Sequence, residues 1–316
     1  MMFSFSSNIE LARGGTNTMI KRGITLVFHS IKELVTLAEN AGSVSEAMIQ
    51  VELQRGNMTR EEIWGQMDHQ LSVMEKAVAR GIEGVASPTG LTGNDATRLM
   101  HYIEKGNFIS GETILKAVRN AIATNEVNAA MGLVCATPTA GSAGVVPGVL
   151  FAARDQLNLT REQMIRFLFT AGAFGLVTAN NASISGAEGG CQAEIGSASG
   201  MAAAALTEAA GGTPEMSSAA MAITLKNMMG LICDPVAGLV EVPCVKRNAL
   251  GASQAMISAD MALAGITSAI PTDEVIAAMY KVGIQMPTIF KETAEGGLAD
   301  TPTGRDIKMK IFGVDA

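Results

Sequence analysis

The stretch Thr59–Gly81, TREEIWGQMDHQLSVMEKAVARG, decides the fold class. Ile63, Met67, Leu71, Met74 and Val78 recur there at the three- and four-residue spacing of one helical face. Thr59 followed by Glu62 fits a capping box, in which two side chains satisfy backbone donors that the first turn leaves orphaned, and Gly81 offers a stop. The same start pattern occurs at Ser43–Glu46 and Thr160–Gln163. Asp95 can cap a helix running to Gly106, and Thr213–Pro214–Glu215 places a cap, a first-position proline and an acid in order. Further helices are expected near 31–40, 111–131, 161–177, 194–210, 215–229, 246–264 and 273–283. No run alternates with the two-residue period of a half-buried strand. The expected fold is all-α, a single multi-helix domain over 30–316 behind a weakly structured extension, 1–29, within which Met19 is an alternative start.

A chain of 316 residues can bury a large core. With 48% hydrophobic residues, 34 Gly, 20 Met and 4% aromatics, its helices can approach closely and methionine can fill irregular gaps. A formal net charge of −7 and 23 scattered Lys and Arg disfavour a nucleic-acid or anionic-membrane surface. The first residues lack a signal peptide's order of segments. Four cysteines without paired spacing fit a reducing, cytoplasmic setting better than a disulfide framework. Two uncharged runs, Val127–Ala153 and Phe167–Ala187, are long enough to span a bilayer. Pro138 and Pro147 interrupt the first and the polar TANNASISGA ends the second, so a buried core is the better reading.

Between the helices lie three loops rich in Gly, Pro, Ser and Thr: Ser87–Asp95 (SPTGLTGND), Ala136–Gly148 (ATPTAGSAGVVPG) and Asn181–Cys191 (NASISGAEGGC). Any one of them reads as a tight turn. Together they can turn backbone N–H groups and hydroxyls towards a small molecule. A fourth segment, CDPVAGLVEVPC, joins Cys233 to Cys244, and Pro235, Gly238 and Pro243 make it a loop, because Pro removes a donor and Gly admits otherwise forbidden backbone angles.

Forty-one residues separate Cys191 from Cys233 and ten separate Cys233 from Cys244. Each could be a buried small hydrophobe, which is the reading given to Cys135. Structural zinc wants four ligands with close pairs, absent here. Three thiolates without a fourth suit a four-iron–four-sulfur cluster with one iron open to substrate.

NASISGAEGGCQAEIGSASGMAAAAL, CDPVAGLVEVPCVKRNALGA and TPTAGSAGVVPGVL resemble the alpha chain of the iron–sulfur-dependent L-serine dehydratases. IKELVTLAE and SPTGLTGND fit the amino-terminal part of that family, and the likeness covers about residues 30–316. It implies a lyase that converts L-serine to pyruvate and ammonia. It further implies a four-iron–four-sulfur cluster on Cys191, Cys233 and Cys244, sensitivity to air and no pyridoxal phosphate. Some members carry an extra beta domain in the same chain; its lack here implies a separate beta chain as partner. Others end in a cysteine that reaches back to the cluster, whereas this sequence ends in IFGVDA.

Elimination of water from serine needs help for a poor leaving group and a base for a weakly acidic α proton. Arg247, three residues after Cys244, is either a carboxylate fork or a salt bridge. Asn181, Ser183 and Ser185 either contact the amino acid or cap the next helix. Thr137, Thr139, Ser142, Ser87 and Thr89 are substrate-binding candidates on the family likeness. Glu188 and Asp234 either receive the ammonium group or act as caps. His69 falls opposite the apolar stripe of its helix, and His29 and His101 join no constellation, so the base is expected from the beta chain. The alternatives are β-elimination from cysteine or threonine on the same scaffold and a non-catalytic iron–sulfur binding protein; a membrane bundle ranks behind both.

Overall fold

The computed structural model describes residues 27–313. Thirteen α-helices follow one another there: α1 Ile31–Ala41, α2 Val44–Arg55, α3 Arg60–Glu83, α4 Asp95–Glu104, α5 Glu112–Ala129, α6 Val145–Leu157, α7 Arg161–Asn181, α8 Gly186–Gly189, α9 Ser197–Ala209, α10 Pro214–Met228, α11 Cys244–Leu263, α12 Thr272–Gln285 and α13 Pro302–Phe312. Among the described residues there is no strand, only isolated bridges at Ala86–Gly93 and Cys233–Lys291. The all-α expectation holds, and no helix among these residues is long and apolar enough to cross a membrane. Residues 1–26, most of the expected extension, lie outside the described residues. Phe28 is fully buried and Asn181 donates to the His29 carbonyl at 2.7 Å, so the packed structure takes in the end of that stretch.

α9 is the axis of the molecule. Every residue from Ser197 to Thr207 is buried, and α7, α10, α11 and α6 pack around it. The run SASGMAAAALT permits this because small side chains let four neighbours approach closely. A second layer forms where α5 packs on α6, α11, α3 and α4.

The capping boxes at Thr59–Glu62 and Thr160–Gln163 are complete. At Ser43 the hydroxyl accepts from the Glu46 N–H, but the other half of the box does not form. The Glu46 carboxylate instead takes Arg60 at 2.8 and 2.6 Å, with Arg166 at 3.4 Å, and Arg60 holds its pKa down to about 2.

Four local expectations need correction. Gly81 does not end α3: a Cβ there would meet the Ala123 carbonyl oxygen at 2.2 Å, so Gly81 is the point where α3 touches α5, and the helix stops at Gly84. Asp95 is the first helical residue of α4 rather than its cap. The orphan N–H groups of Asp95 and Ala96 are capped from a distance by the buried carboxylate of Glu126, at 2.8 and 3.3 Å. The loop taken as Ala136–Gly148 ends at Gly144, and Pro147 lies in the first turn of α6, where its missing N–H costs nothing. The helix expected to begin near 194 is preceded by a π turn, Gln192–Gly196, continuous with α9.

Candidate active site

Three segments that are distant in sequence are pinned together around the cysteines. The π turn after Cys191 is fixed by the buried side chain of Gln192. Its amide nitrogen donates to the Gly189 and Met279 carbonyls, both at 3.0 Å, and its oxygen accepts from the Gly230 N–H at 2.9 Å. Single π turns inside α-helices are frequent at functional sites. Cys233 is held by its backbone: its N–H donates to the Phe290 carbonyl, and its own carbonyl accepts from the Glu292 N–H, both at 2.8 Å. Asp234 next to it accepts from the Leu298 N–H at 2.8 Å and lies 2.7 Å from Arg247. Cys244 begins α11. One turn on, buried Asn248 donates to the Cys244 and Gly141 carbonyls at 2.9 and 2.7 Å and accepts from the Gly144 N–H at 3.0 Å. Asn125 adds a bond to Gly141 at 3.0 Å. The loop after Cys135 is thereby fastened to the start of α11.

All four cysteines are free and buried. A hydrogen bond between Cys191 and Cys233, followed by burial, pushes the Cys233 thiol far above its ordinary pKa. Burial first and the charge of Cys191 second do the same to Cys244. These three thiols therefore share one electrostatic environment. Cys135 does not belong to it: it bonds to the Gln70 side chain at 2.9 Å, and burial pushes its thiol up to about 11. Among the described residues no group of three or more His, Cys, Asp and Glu side chains surrounds a point where one metal ion could sit. A cluster makes a different demand, since each thiolate binds a different iron and the donors stand further apart.

The π turn also carries Glu194, which sequence reasoning missed. Its carboxylate is buried, with the residue 9% exposed, and the Thr139 hydroxyl donates to it. Thr139 is bonded in turn to Ser142 at 2.9 Å. A Cβ built on Gly186 would stand 2.9 Å from Cys233 Sγ and 3.3 Å from both Glu194 Oε2 and Glu292 Oε2. Two carboxylates and a cluster-candidate thiol thus meet at one glycine. Burial raises the pKa of Glu194; the Thr139 bond opposes the rise and the charge of Glu292 adds to it. Glu292 itself has φ +64°, a left-handed backbone that a non-glycine residue adopts at a cost and that often marks function. The only sequence signal for Glu194 was its place three residues after Cys191, and Glu292 had none.

The first loop joins through Glu241, a residue of the cysteine loop also missed from the sequence. Thr89 donates to Glu241 at 2.9 Å, Thr92 at 3.0 Å, and Ser87 lies 3.1 Å from Thr89. The hydroxyl of Thr89 is therefore committed to Glu241, and that of Ser87 to Thr89 and the Thr92 N–H. Thr137 Oγ1 is buried with no hydrogen-bond partner in the structure. Arg247 is engaged on both sides, by Asp234 and by the Ile232 carbonyl at 2.9 Å. Burial works against its charge, but Cys191 and Asp234 outweigh burial and raise its pKa.

Other sequence candidates are placed elsewhere or serve locally. Asn181 bonds to the His29 and Val177 carbonyls, Ser185 caps α8 through the Ala187 N–H, and Ser183 accepts from the Ser185 N–H. Asp234 accepts from the Leu298 N–H and pairs with Arg247. Glu188 and Ser183 line a cleft of about 530 Å³ with Tyr280, Ile284 and Lys291, which shares Gly189 and Ala193 with the Cys191 segment. His29, His69 and His101 are all exposed.

A four-thiol inventory with three members converging, braced by Gly-rich loops and a π turn, defines an all-α protein with a candidate iron–sulfur site. Comparison with known proteins then settles the family. The serine dehydratase alpha chain family matches residues 39–299, and the chain belongs to that family. It is 69% identical to the probable L-serine dehydratase alpha chain of Bacillus subtilis, over 91% of this chain and 96% of that one. It is 40% identical to the L-serine dehydratase alpha chain of Peptoniphilus asaccharolyticus, over 90% of this chain and 99% of that one. The L-serine dehydratase of Streptomyces coelicolor is 39% identical over 86% of this chain, which covers 60% of that longer protein.

Proposed function

We propose that this chain is the alpha subunit of an L-serine dehydratase, a lyase that eliminates water from L-serine to yield pyruvate and ammonia. The observation that carries the reading is the convergence of the free, buried thiols of Cys191, Cys233 and Cys244 on one environment. Buried thiols resist ionisation unless a cationic centre compensates them, and metal binding releases their protons. The donor set is all sulfur, three in number, and the charge of Arg247 reaches Cys191 and Cys244. It fits a four-iron–four-sulfur cluster with one iron free of protein ligand. When bound, such a cluster supplies a Lewis acid for departure of the serine hydroxyl.

The protein's own residues set the geometry around it. Arg247, held by Asp234 and Ile232, braces the cysteine loop and offsets negative charge beside the thiolates. Thr139 and Ser142 present a hydroxyl pair at the same place, and Thr137 offers a buried hydroxyl free to bond a polar group of the substrate. The lack of side chains at Gly141 and Gly186 lets the loop backbone pack closely against Glu194 and Cys233. The buried walls exclude water, which strengthens each polar contact. Aminoacrylate released from the site becomes an imine and hydrolyses unaided.

The exposed histidines leave the α-proton base to a beta chain. The match to relatives named alpha chains supports such a partner. The test is anaerobic reconstitution with iron-57, with and without the partner. Serine should alter the Mössbauer signal of one iron in four, and pyruvate should form only with the partner present. Four unmoved, equivalent irons would overturn the open-iron reading, and pyruvate from this chain alone would overturn the shared-site reading. Serine should also outrun threonine and cysteine in the same preparation.

A further inference from the structure

The dehydratase reading leaves one buried charge without a task. Glu194 lies three residues after Cys191 and near Cys233 and Cys244, yet among the described residues its hydrogen-bond partner is a neutral hydroxyl, Thr139, and no Lys or Arg pairs with it. Glu292 points its carboxylate at the same glycine, Gly186, from an exposed position, and likewise takes no cation. The cation nearest the thiols, Arg247, is committed to Asp234 and Ile232. A buried carboxylate facing a second carboxylate and three sulfurs is unfavourable unless a cation arrives.

One further observation points to a ligand rather than to a structural acid cluster. The Gly141 backbone packs directly against Glu194 Oε1, where a Cβ would fall at 2.5 Å, while Oε2 turns to Gly186, the glycine that Glu292 also faces. Two residues before Thr139, the side chain of Thr137 is 3% exposed and its hydroxyl has no partner. Two carboxylates and, in the loop that bonds Glu194 through Thr139, an unpartnered hydroxyl are the groups that a small cation carrying acceptors requires. The zwitterion of a 2-amino acid brings that cation into a site of sulfur anions.

We propose that Glu194, with Glu292 at the rim, receives the α-ammonium group of the substrate, and so restricts this site to 2-amino acids over their 2-hydroxy or unsubstituted counterparts. Glu194 is then a substrate-positioning residue: with the ammonium fixed to it, the Cα and the hydroxyl-bearing carbon have only one way to face the sulfur side of the site. This assignment rests on the dehydratase reading and deepens it.

Two non-reacting probes separate ammonium recognition from everything else: L-alanine, which keeps the ammonium, and propanoate, which lacks it. Both are titrated calorimetrically into the anaerobic holoenzyme with its partner chain, as wild type, Glu194→Gln and Glu292→Gln, after iron content and helicity are matched. Loss of one charge-assisted bond weakens binding by about 10- to 100-fold. Glu194→Gln should lose that much affinity for L-alanine while propanoate binding stays within about twofold, since one charge-assisted bond is all that differs. Glu292→Gln, at an exposed position that folding tolerates, should show the same selective loss to a smaller degree. With serine, the loss should fall mainly on KM. Equal weakening of both probes in either variant, or unweakened L-alanine binding, overturns the proposal. A wild-type holoenzyme that makes no pyruvate overturns the dehydratase reading instead, so the two failures are distinguishable.

Discussion

Cys233 and Cys135 are both buried thiols, yet their surroundings assign them opposite parts. Cys233 is gripped through its own N–H and carbonyl and faces Cys191 and two carboxylates; Cys135 faces one glutamine amide. Serine replacement of Cys191, Cys233 or Cys244 should therefore abolish iron and sulfide uptake with little change in helicity. Cys135→Ser should leave uptake intact, and chemical iron analysis reads the difference. Asn248 ties Cys244 to Gly141 and Gly144 with three bonds, so Asn248→Ala removes three buried hydrogen bonds and orphans the Gly144 N–H. It should cost about 1–3 kcal/mol in a denaturant titration and loosen the Thr139 loop as well. Glu46 offers a pH signature. Its pKa falls from an ordinary 4.5 to about 2 because Arg60 bonds its charged form. A depressed carboxyl contributes stability that is present above 4.5 and is lost as pH falls towards 2. The stability gap between wild type and Glu46→Gln should thus be constant above pH 4.5 and close between 4.5 and 2.

At the scale of elements, the contact of α3 with α5 runs through Gly81, where the Ala123 carbonyl occupies the space of a side chain. Gly81→Ala must push the helices apart and should destabilise by about 1–3 kcal/mol in thermal unfolding, although alanine is the better helix former. That sign decides between the two readings of Gly81, since a mere helix stop would tolerate alanine better. The capping boxes were legible because both partners lie within one turn. The cap of α4 was not, because Glu126 reaches Asp95 and Ala96 from a helix later in the chain. The π turn was equally hidden. Nothing local in QAEIG distinguishes it from an α-helical start, and it is held by Gln192 bonding to Met279 and Gly230.

Across the whole molecule, the cysteine site depends on chain that follows it by some fifty residues. Phe290, Glu292 and Leu298 supply the hydrogen bonds that fix Cys233 and Asp234. Truncation after Gln285 should leave the α9-centred core helical but reduce iron uptake sharply, as read by circular dichroism beside iron analysis. Uptake equal to the full chain would show that the thiols need no clamp from this region.

Helical periodicity, local caps and the small-residue run of α9 determined the all-α fold from the sequence alone, since each acts within a few residues. The cysteine loop and its neighbours likewise carried the family likeness, because their motifs are contiguous. Tertiary structure alone decided which polar groups are already committed and which remain open. Asn181 turned to backbone carbonyls, Thr89 to Glu241, and Arg247 to Asp234, while Glu194 was left buried beside the thiols with no Lys or Arg partner among the described residues. The physical reason is that hydrogen-bond satisfaction is a property of neighbours in space, and the partners here lie tens to more than a hundred residues apart in the chain.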